Sequence, residues 1–263
     1  MGILNITPDS FADGGRYLDP ETAVEAGVRM AADGADIIDI GGESTRPGAE
    51  PVPAEEERRR VLPVVERLAD RVEIPISIDT YKSSVARDAL SAGATIVNDI
   101  SGLLYDPELG RVAAGAGAAL VLMHTRGRSR GMYELAQYDK APAEVMVELR
   151  DAIGRAERMG VARDAIILDP GFGFAKRAEH TFELIAHLEE IAALDRPILA
   201  GPSRKSFLRA AIGDRPPTDR DWGTSAAVAA SVLLGAHIVR VHALREMVDV
   251  VHVADRIRSA ANL

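Results

Sequence analysis

PISIDTYKSSVARDALSAGATIVNDISG, residues 75–102, is the stretch that decides the fold. PISID (75–79) and TIVND (95–99) are short, dense in Ile and Val, and end in polar residues. Residues 82–92 between them carry a helical pattern that closes at Gly93, a glycine suited to a helix C-terminus. A strand, a helix and a second strand are therefore expected. Each strand is dense in Ile or Val and bounded by Gly, Pro or Asp, which reads as burial on both faces.

The same unit recurs outward in both directions. GILNI (2–6) and DIIDI (36–40) precede it, and ALVLM (119–123), AIILD (165–169), PILAG (197–201) and HIVRV (237–241) follow. Helical patterns fill the gaps at 20–33, 54–71, 142–159 and 244–260. Asp19–Pro20 marks one helix start, and an acidic first turn (Glu55, Glu56, Glu57) marks another. Eight strands alternating with helices over 263 residues predict one α/β domain, residues 1–263. That length suits a closed (β/α)8 TIM barrel with its site at the C-terminal ends of the strands. An open doubly wound sheet is the alternative. Against it, no G-x-G-x-x-G turn follows the first strand.

The bulk numbers exclude several classes. Apolar residues make up 47% and charged residues 27%, as in an ordinary globular domain, and there is no cysteine. No run approaches a membrane span, no secretory signal opens the chain, and no disulfide framework exists, so a cytoplasmic protein is expected. The formal net charge of −9 argues against nucleic-acid and membrane-surface partners, which need a basic footprint.

The strand ends are unusually polar for positions bordering a packed core. They carry Asn5, Asp39, Asp79, Asn98 with Asp99, His124, Asp169, the run Ser203–Arg204–Lys205, and Arg240 with His242. Buried polar groups need partners and buried charges need more, so this many at one barrel end predicts a site. Asp79 and Asp169 accept, Asn98 does both, and Lys205 donates, a set suited to a flat heterocycle rich in N–H with a carbonyl. Arg240 and His242 lie two apart on one strand and share a face. With Arg46 and Asn5 they suit a diphosphate at the rim.

GILNITPDSFADGG (2–15), GGESTRPGA (41–49), SIDTYK (77–82), NDISG (98–102), DPGFGFAK (169–176), GPSRKSF (201–207) and RVH (240–242) together resemble the signature set of the dihydropteroate synthases. The resemblance spans nearly the whole chain, in the family's order. It implies condensation of 7,8-dihydropterin-6-ylmethyl diphosphate with 4-aminobenzoate in folate synthesis, with Mg2+ as cofactor, in a homodimer. Carried over, Asp79, Asn98, Asp169 and Lys205 match the pterin-holding groups. Asn5 matches the residue beside Mg2+ and diphosphate. Thr45, Arg46, Arg240 and His242 match diphosphate contacts, and Phe11, Pro47, Phe172 and Ser206 the aminobenzoate side. Asp79, Asp169, Lys205, Arg240 and His242 are thereby the expected catalytic set. Two departures stand out: Ala175 replaces the usual glycine, and HTRGRSRGMY (124–133) differs from the commoner loop after the fifth strand, so no role is carried over to it.

Plainer readings stand beside these. Asp39 and Asp99 suit orienting neighbours as well as ligand contact. His124 suits a satisfied core histidine or a support for the pterin pocket, and Trp222 is expected to pack. A corrinoid-linked methyltransferase of the same superfamily would need no diphosphate site. A non-catalytic pterin-binding paralogue would lack complete loops at 7–16 and 43–51. A sugar-phosphate isomerase would need a glutamate base at a strand end.

Overall fold

Among the described residues eight short strands form the centre: β1 Gly2–Asn5, β2 Ile38–Gly41, β3 Ile76–Asp79, β4 Ile96–Asp99, β5 Ala119–Met123, β6 Ile166–Asp169, β7 Leu199–Ala200 and β8 Ile238–Val239. The structure is a computed structural model that describes residues 1–7, 19–45, 48–129 and 131–261. Strands β1 to β6 pair in parallel in sequence order, and β7 pairs with β8. Two single bridges, Leu168 with Ile198 and Gly2 with Val241, close the circle. Backbone bonds from Leu168 to Pro197 (2.9 Å), Ile3 to Val241 (3.0 Å) and Val241 to Met1 (3.0 Å) carry those joints. The expected (β/α)8 barrel is therefore present. The last two strands are shorter than the sequence predicts. Pro197 and Pro202 flank β7 without an N–H for the ladder, and the Ile198 N–H goes to His237 Nδ1 at 3.2 Å.

Among the described residues ten α-helices surround the strands: α1 Pro20–Ala32, α2 Ala54–Ala69, α3 Ser83–Ser91, α4 Leu109–Ala116, α5 Ala141–Arg158, α6 Ala178–Ala186, α7 Leu188–Ile191, α8 Arg209–Ile212, α9 Asp221–Leu233 and α10 Leu244–Ala261. Asp19 caps α1 by accepting from the Thr22 N–H at 3.2 Å. Gly93, just beyond α3, has φ +114°, the conformation that made glycine the expected stop. Among the described residues no helix is long and apolar enough to cross a membrane.

Alternate strand residues face opposite ways, so two separate cores arise. The outward set, including Leu4, Ile38, Ile40, Ile78, Val97, Leu120 and Leu168, packs against the helices. The inward set makes a smaller cluster of Met1, Ile96, Val121 and Leu199, with Ile37, Ala119, Ile167 and Ile238 against it. This apolar plug fills the lower barrel. Above it, the same inward faces change character and carry the strand-end polar residues.

Candidate functional site

Register sets the first row of the site. Asn5 pairs with Gly41, Gly41 with Asp79, and Asp79 with Asn98, so four neighbouring strands present these positions at one level. Asp39 lies one inward step below Gly41. It accepts from Asn98 Nδ2 at 3.0 Å and from Arg240 Nε at 2.5 Å. Arg240 reaches across the barrel from β8 and gives its Nη2 to Asp79 at 2.7 Å. One guanidinium thus joins two buried carboxylates, Asp39 at 0% and Asp79 at 8% exposure. Asp39 Oδ1 and Asp79 Oδ1 remain buried without a hydrogen-bond partner. Burial pushes the Asp79 carboxyl up to about 7; Arg240 opposes this and Asp39 adds to it.

The opposite wall holds the cation. Asp169 ends β6 and accepts the Gly171 N–H at 2.7 Å, while burial raises its pKa and Lys205 opposes that. Lys205 follows β7 and gives Nζ to the Phe172 carbonyl at 2.6 Å, with the Phe174 ring centroid 4.5 Å away. Burial holds the Lys205 ammonium down to about 8, against the pull of Asp169. Its neighbour Arg204, at φ +57°, turns the other way and makes paired 2.8 Å bonds to Asp221 on α9. That anchor aims consecutive side chains at opposite targets, Arg204 outward and Lys205 inward.

Two inward glycines keep the space between the walls open. A Cβ at Gly41 would lie 3.5 Å from both Asn5 Oδ1 and Asp79 Cβ; one at Gly201 would lie 3.8 Å from Lys205 Nζ and 4.0 Å from Asp169 Oδ2. Acceptors on one side and an ammonium on the other then face a slot bare of side chain. At the rim, Ser203 Oγ accepts the His242 N–H at 3.1 Å and meets Nδ1 at 2.9 Å.

Asn5, Asp79, Asn98, Asp169, Lys205 and Arg240 are therefore brought together, with His242 above them. Arg240 lies lower than the rim position expected of it, committed to two carboxylates. Phe172 is fully buried, and only its carbonyl faces Lys205. Thr45 is half-buried in the segment after β2, and Ser206 is exposed at the turn after Lys205. Phe11, Arg46 and Pro47 lie outside the described residues. Among the described residues no three His, Cys, Asp or Glu side chains gather as a metal site.

Other residues take plainer roles. Asp99 accepts from Ser101 N and Oγ and from Leu103 N, which makes it a turn former. His124 points away from the slot, with Nε2 2.9 Å from Glu148 and Nδ1 2.8 Å from Lys176 Nζ. Burial and the nearby ammonium lower its pKa to about 4. Lys176 itself, 1% exposed, also reaches the Phe174 carbonyl at 2.9 Å. Sequence reasoning missed this lysine and Phe174, although the glycine spacing of GFGFAK signals a tightly wound loop. Trp222 overturns the packing expectation: it is 86% exposed, because its turn of α9 faces away from the barrel.

With that geometry in place, the relatives are informative. Residues 1–242 match the family described as pterin binding enzyme. The dihydropteroate synthase of Synechocystis is 46% identical over 255 residues, which cover 97% of this chain and 88% of that one. Among solved structures, the Yersinia pestis dihydropteroate synthase with sulfonamide drug complex matches with TM-score 0.94 at 40% identity, covering 98% of this chain and 94% of its own. The Xanthomonas albilineans dihydropteroate synthase in complex with 7,8-dihydropteroate gives TM-score 0.87 at 40% identity, covering 98% and 92%.

Proposed function

We infer the chemistry of the site from one premise: the chain belongs to the pterin-binding enzyme family. Its activity is that of a dihydropteroate synthase, a transferase of folate biosynthesis. It joins 7,8-dihydropterin-6-ylmethyl diphosphate to 4-aminobenzoate and releases diphosphate.

The assignment of residues to that reaction is ours, and one observation carries it. A slot floored by Asp79 and Asn98 and walled by Asp169 and Lys205 offers carboxylate acceptors opposite an ammonium, with Asp79 Oδ1 buried and unpartnered. The pterin ring supplies the matching N–H groups and carbonyl. Asp79, Asn98 and Asp169 take the N–H edge, and Lys205 donates to the carbonyl and ring nitrogen. Asn5, Thr45, Arg46 and His242 hold the diphosphate, with Arg240 balancing the charge beneath it. Phe11, Pro47, Ser206 and the Phe172 segment border the aminobenzoate.

In the reaction the aniline nitrogen forms a bond to the exocyclic carbon as the carbon–oxygen bond to diphosphate breaks, and the new ammonium loses a proton. The nucleophile is already neutral, so the residues' work is to orient it and to stabilise negative charge on the departing group. Mg2+ fits a donor set of this kind: one Asn5 carboxamide oxygen facing the slot, with substrate oxygens and water as its other ligands. It would neutralise diphosphate charge. A soluble cytoplasmic homodimer sensitive to sulfonamides is part of the same proposal. Sedimentation of the pure protein and inhibition by a sulfonamide check those two points.

The test is dihydropteroate formation by the purified protein with both substrates and Mg2+, beside Lys205→Ala and Asp169→Asn. Product from the wild type and severe loss in both variants is the expected result. Turnover that survives either change would remove that residue from the pterin site.

A further inference from the structure

The loop after β5, to which the resemblance lends no role, touches the segment after β2 through a chain of specific contacts. Arg128 places its guanidinium 4.3 Å from the Tyr105 ring centroid and 5.9 Å from that of Tyr81. The two rings meet edge to face, centroids 5.2 Å apart at 81°. The Tyr105 hydroxyl donates to the Gly127 carbonyl, which holds the ring to the same loop as Arg128. Among the described residues no carboxylate pairs with Arg128, so its charge is spent on ring faces.

Beyond the rings the chain continues to the other loop. The Tyr81 hydroxyl donates to Glu43 Oε1 at 2.9 Å. Glu43 Oε2 accepts the Val52 N–H at 2.9 Å and also meets the Lys82 ammonium. Lys82 is shared with Glu57, a carboxylate 1% exposed and fixed in α2. One carboxylate therefore ties Glu43 to Val52, the two ends of the segment, and fastens both to the barrel. The middle is held as well: the Gly48 N–H donates to the Ser129 carbonyl at 3.2 Å, next to Arg128.

We propose that Arg128, acting through Tyr105, Tyr81 and Glu43, is a positioning residue that sets Glu43 and residues 48–52 in the place where they support the aminobenzoate side of the site. This rests on the functional reading above, in which that segment borders the second substrate. Arg128 touches neither substrate. Its effect passes through the stacked rings and the Ser129 carbonyl, so it selects among loop placements and leaves the pterin slot untouched. Lysine at 128 keeps the charge but stacks less well than a planar guanidinium and weakens the clasp only in part. Phenylalanine at 81 keeps the stack and cuts the link to Glu43.

Steady-state kinetics and amide hydrogen exchange of the whole protein test this. Arg128→Ala should raise KM for 4-aminobenzoate about fivefold, the order of one lost cation–π contact, and leave KM for the pterin diphosphate within about twofold. Arg128→Lys should fall between, and both Arg128→Ala and Tyr81→Phe should speed exchange at 48–52 in ligand-free protein. An equal rise in both KM values, or exchange at 48–52 unchanged in both variants, overturns the proposal. If the wild type makes no dihydropteroate, the functional reading fails. The exchange data then decide the clasp alone: faster exchange sustains it and unchanged exchange removes it.

Discussion

Replacing Arg240 with methionine keeps most of the stem and removes a cation that two buried carboxylates share. Asp39 and Asp79 then face each other with no counter-charge, at contacts of 2.5 and 2.7 Å from where the guanidinium stood. Removing one partner from a buried ion pair costs about 3–5 kcal/mol, the range expected here at about pH 8. The pH dependence has an unusual sign. Asp79 already titrates near 7 in the folded protein, above its ordinary carboxylate range, so its charged form destabilises the fold. That cost is absent below the unfolded pKa and grows as pH rises through the folded one. Losing Arg240 raises the folded pKa further, so the gap between variant and wild type should narrow as pH falls toward about 5.5. Urea unfolding at both pH values measures the gap. Adding Asp79→Asn to the variant should recover about 1 kcal/mol or more at high pH, a coupling that a double-mutant cycle isolates. A loss under about 1 kcal/mol, equal at both pH values, would refute the charge argument.

Three further outcomes follow from single contacts. Pterin affinity should fall as pH rises through about 8, because Lys205 loses the proton it donates; calorimetry showing constant affinity to about pH 9.5 would rule that out. Gly171→Ala should cost more than about 4 kcal/mol, since its Cβ would sit 2.0 Å from the His124 carbonyl oxygen at a φ of +69°. Chemical denaturation at wild-type strength would contradict this. Lys176→Met should cost about 3 kcal/mol by stranding buried acceptors, and His124 should then titrate above its present value of about 4. Proton NMR of the imidazole reads that shift, and a titration left in place would show that the ammonium does not govern it.

The barrel was legible because its strands are buried on both faces and so appear as short runs dense in Ile, Val and Leu, with polar residues gathered at or just past their C-terminal ends. Asp79, Asn98, Asp169 and Lys205 stood out for the same reason, since a polar group at the edge of a core demands an explanation. What stayed hidden depends on pairing across the barrel. Arg240 and Asp39 are 201 residues apart, and nothing local announces that one neutralises the other. Arg240 and His242, just past β8, share a face, but that periodicity does not say how deep each side chain sits, so Arg240 looked like a rim residue. Lys176 resembles a solvated loop lysine until β5 supplies the His124 imidazole and carbonyl that surround it. Trp222 misled in the opposite direction: size suggested packing, while its helix turn faces away from the barrel.

The plug of Met1, Ile96, Val121 and Leu199 has a consequence for how such a barrel can change. It works as an electrical insulator, keeping solvent from reaching Asp39 and Asp79 from below. Burial of this kind is what lifts the Asp79 carboxyl toward neutral pH. Volume-conserving swaps among aliphatic residues there keep the insulation, because it depends on excluding water and not on one particular side chain. A carboxylate at Val121 would place a buried charge beneath the floor and shift the acidic groups above it, without touching a residue that meets substrate.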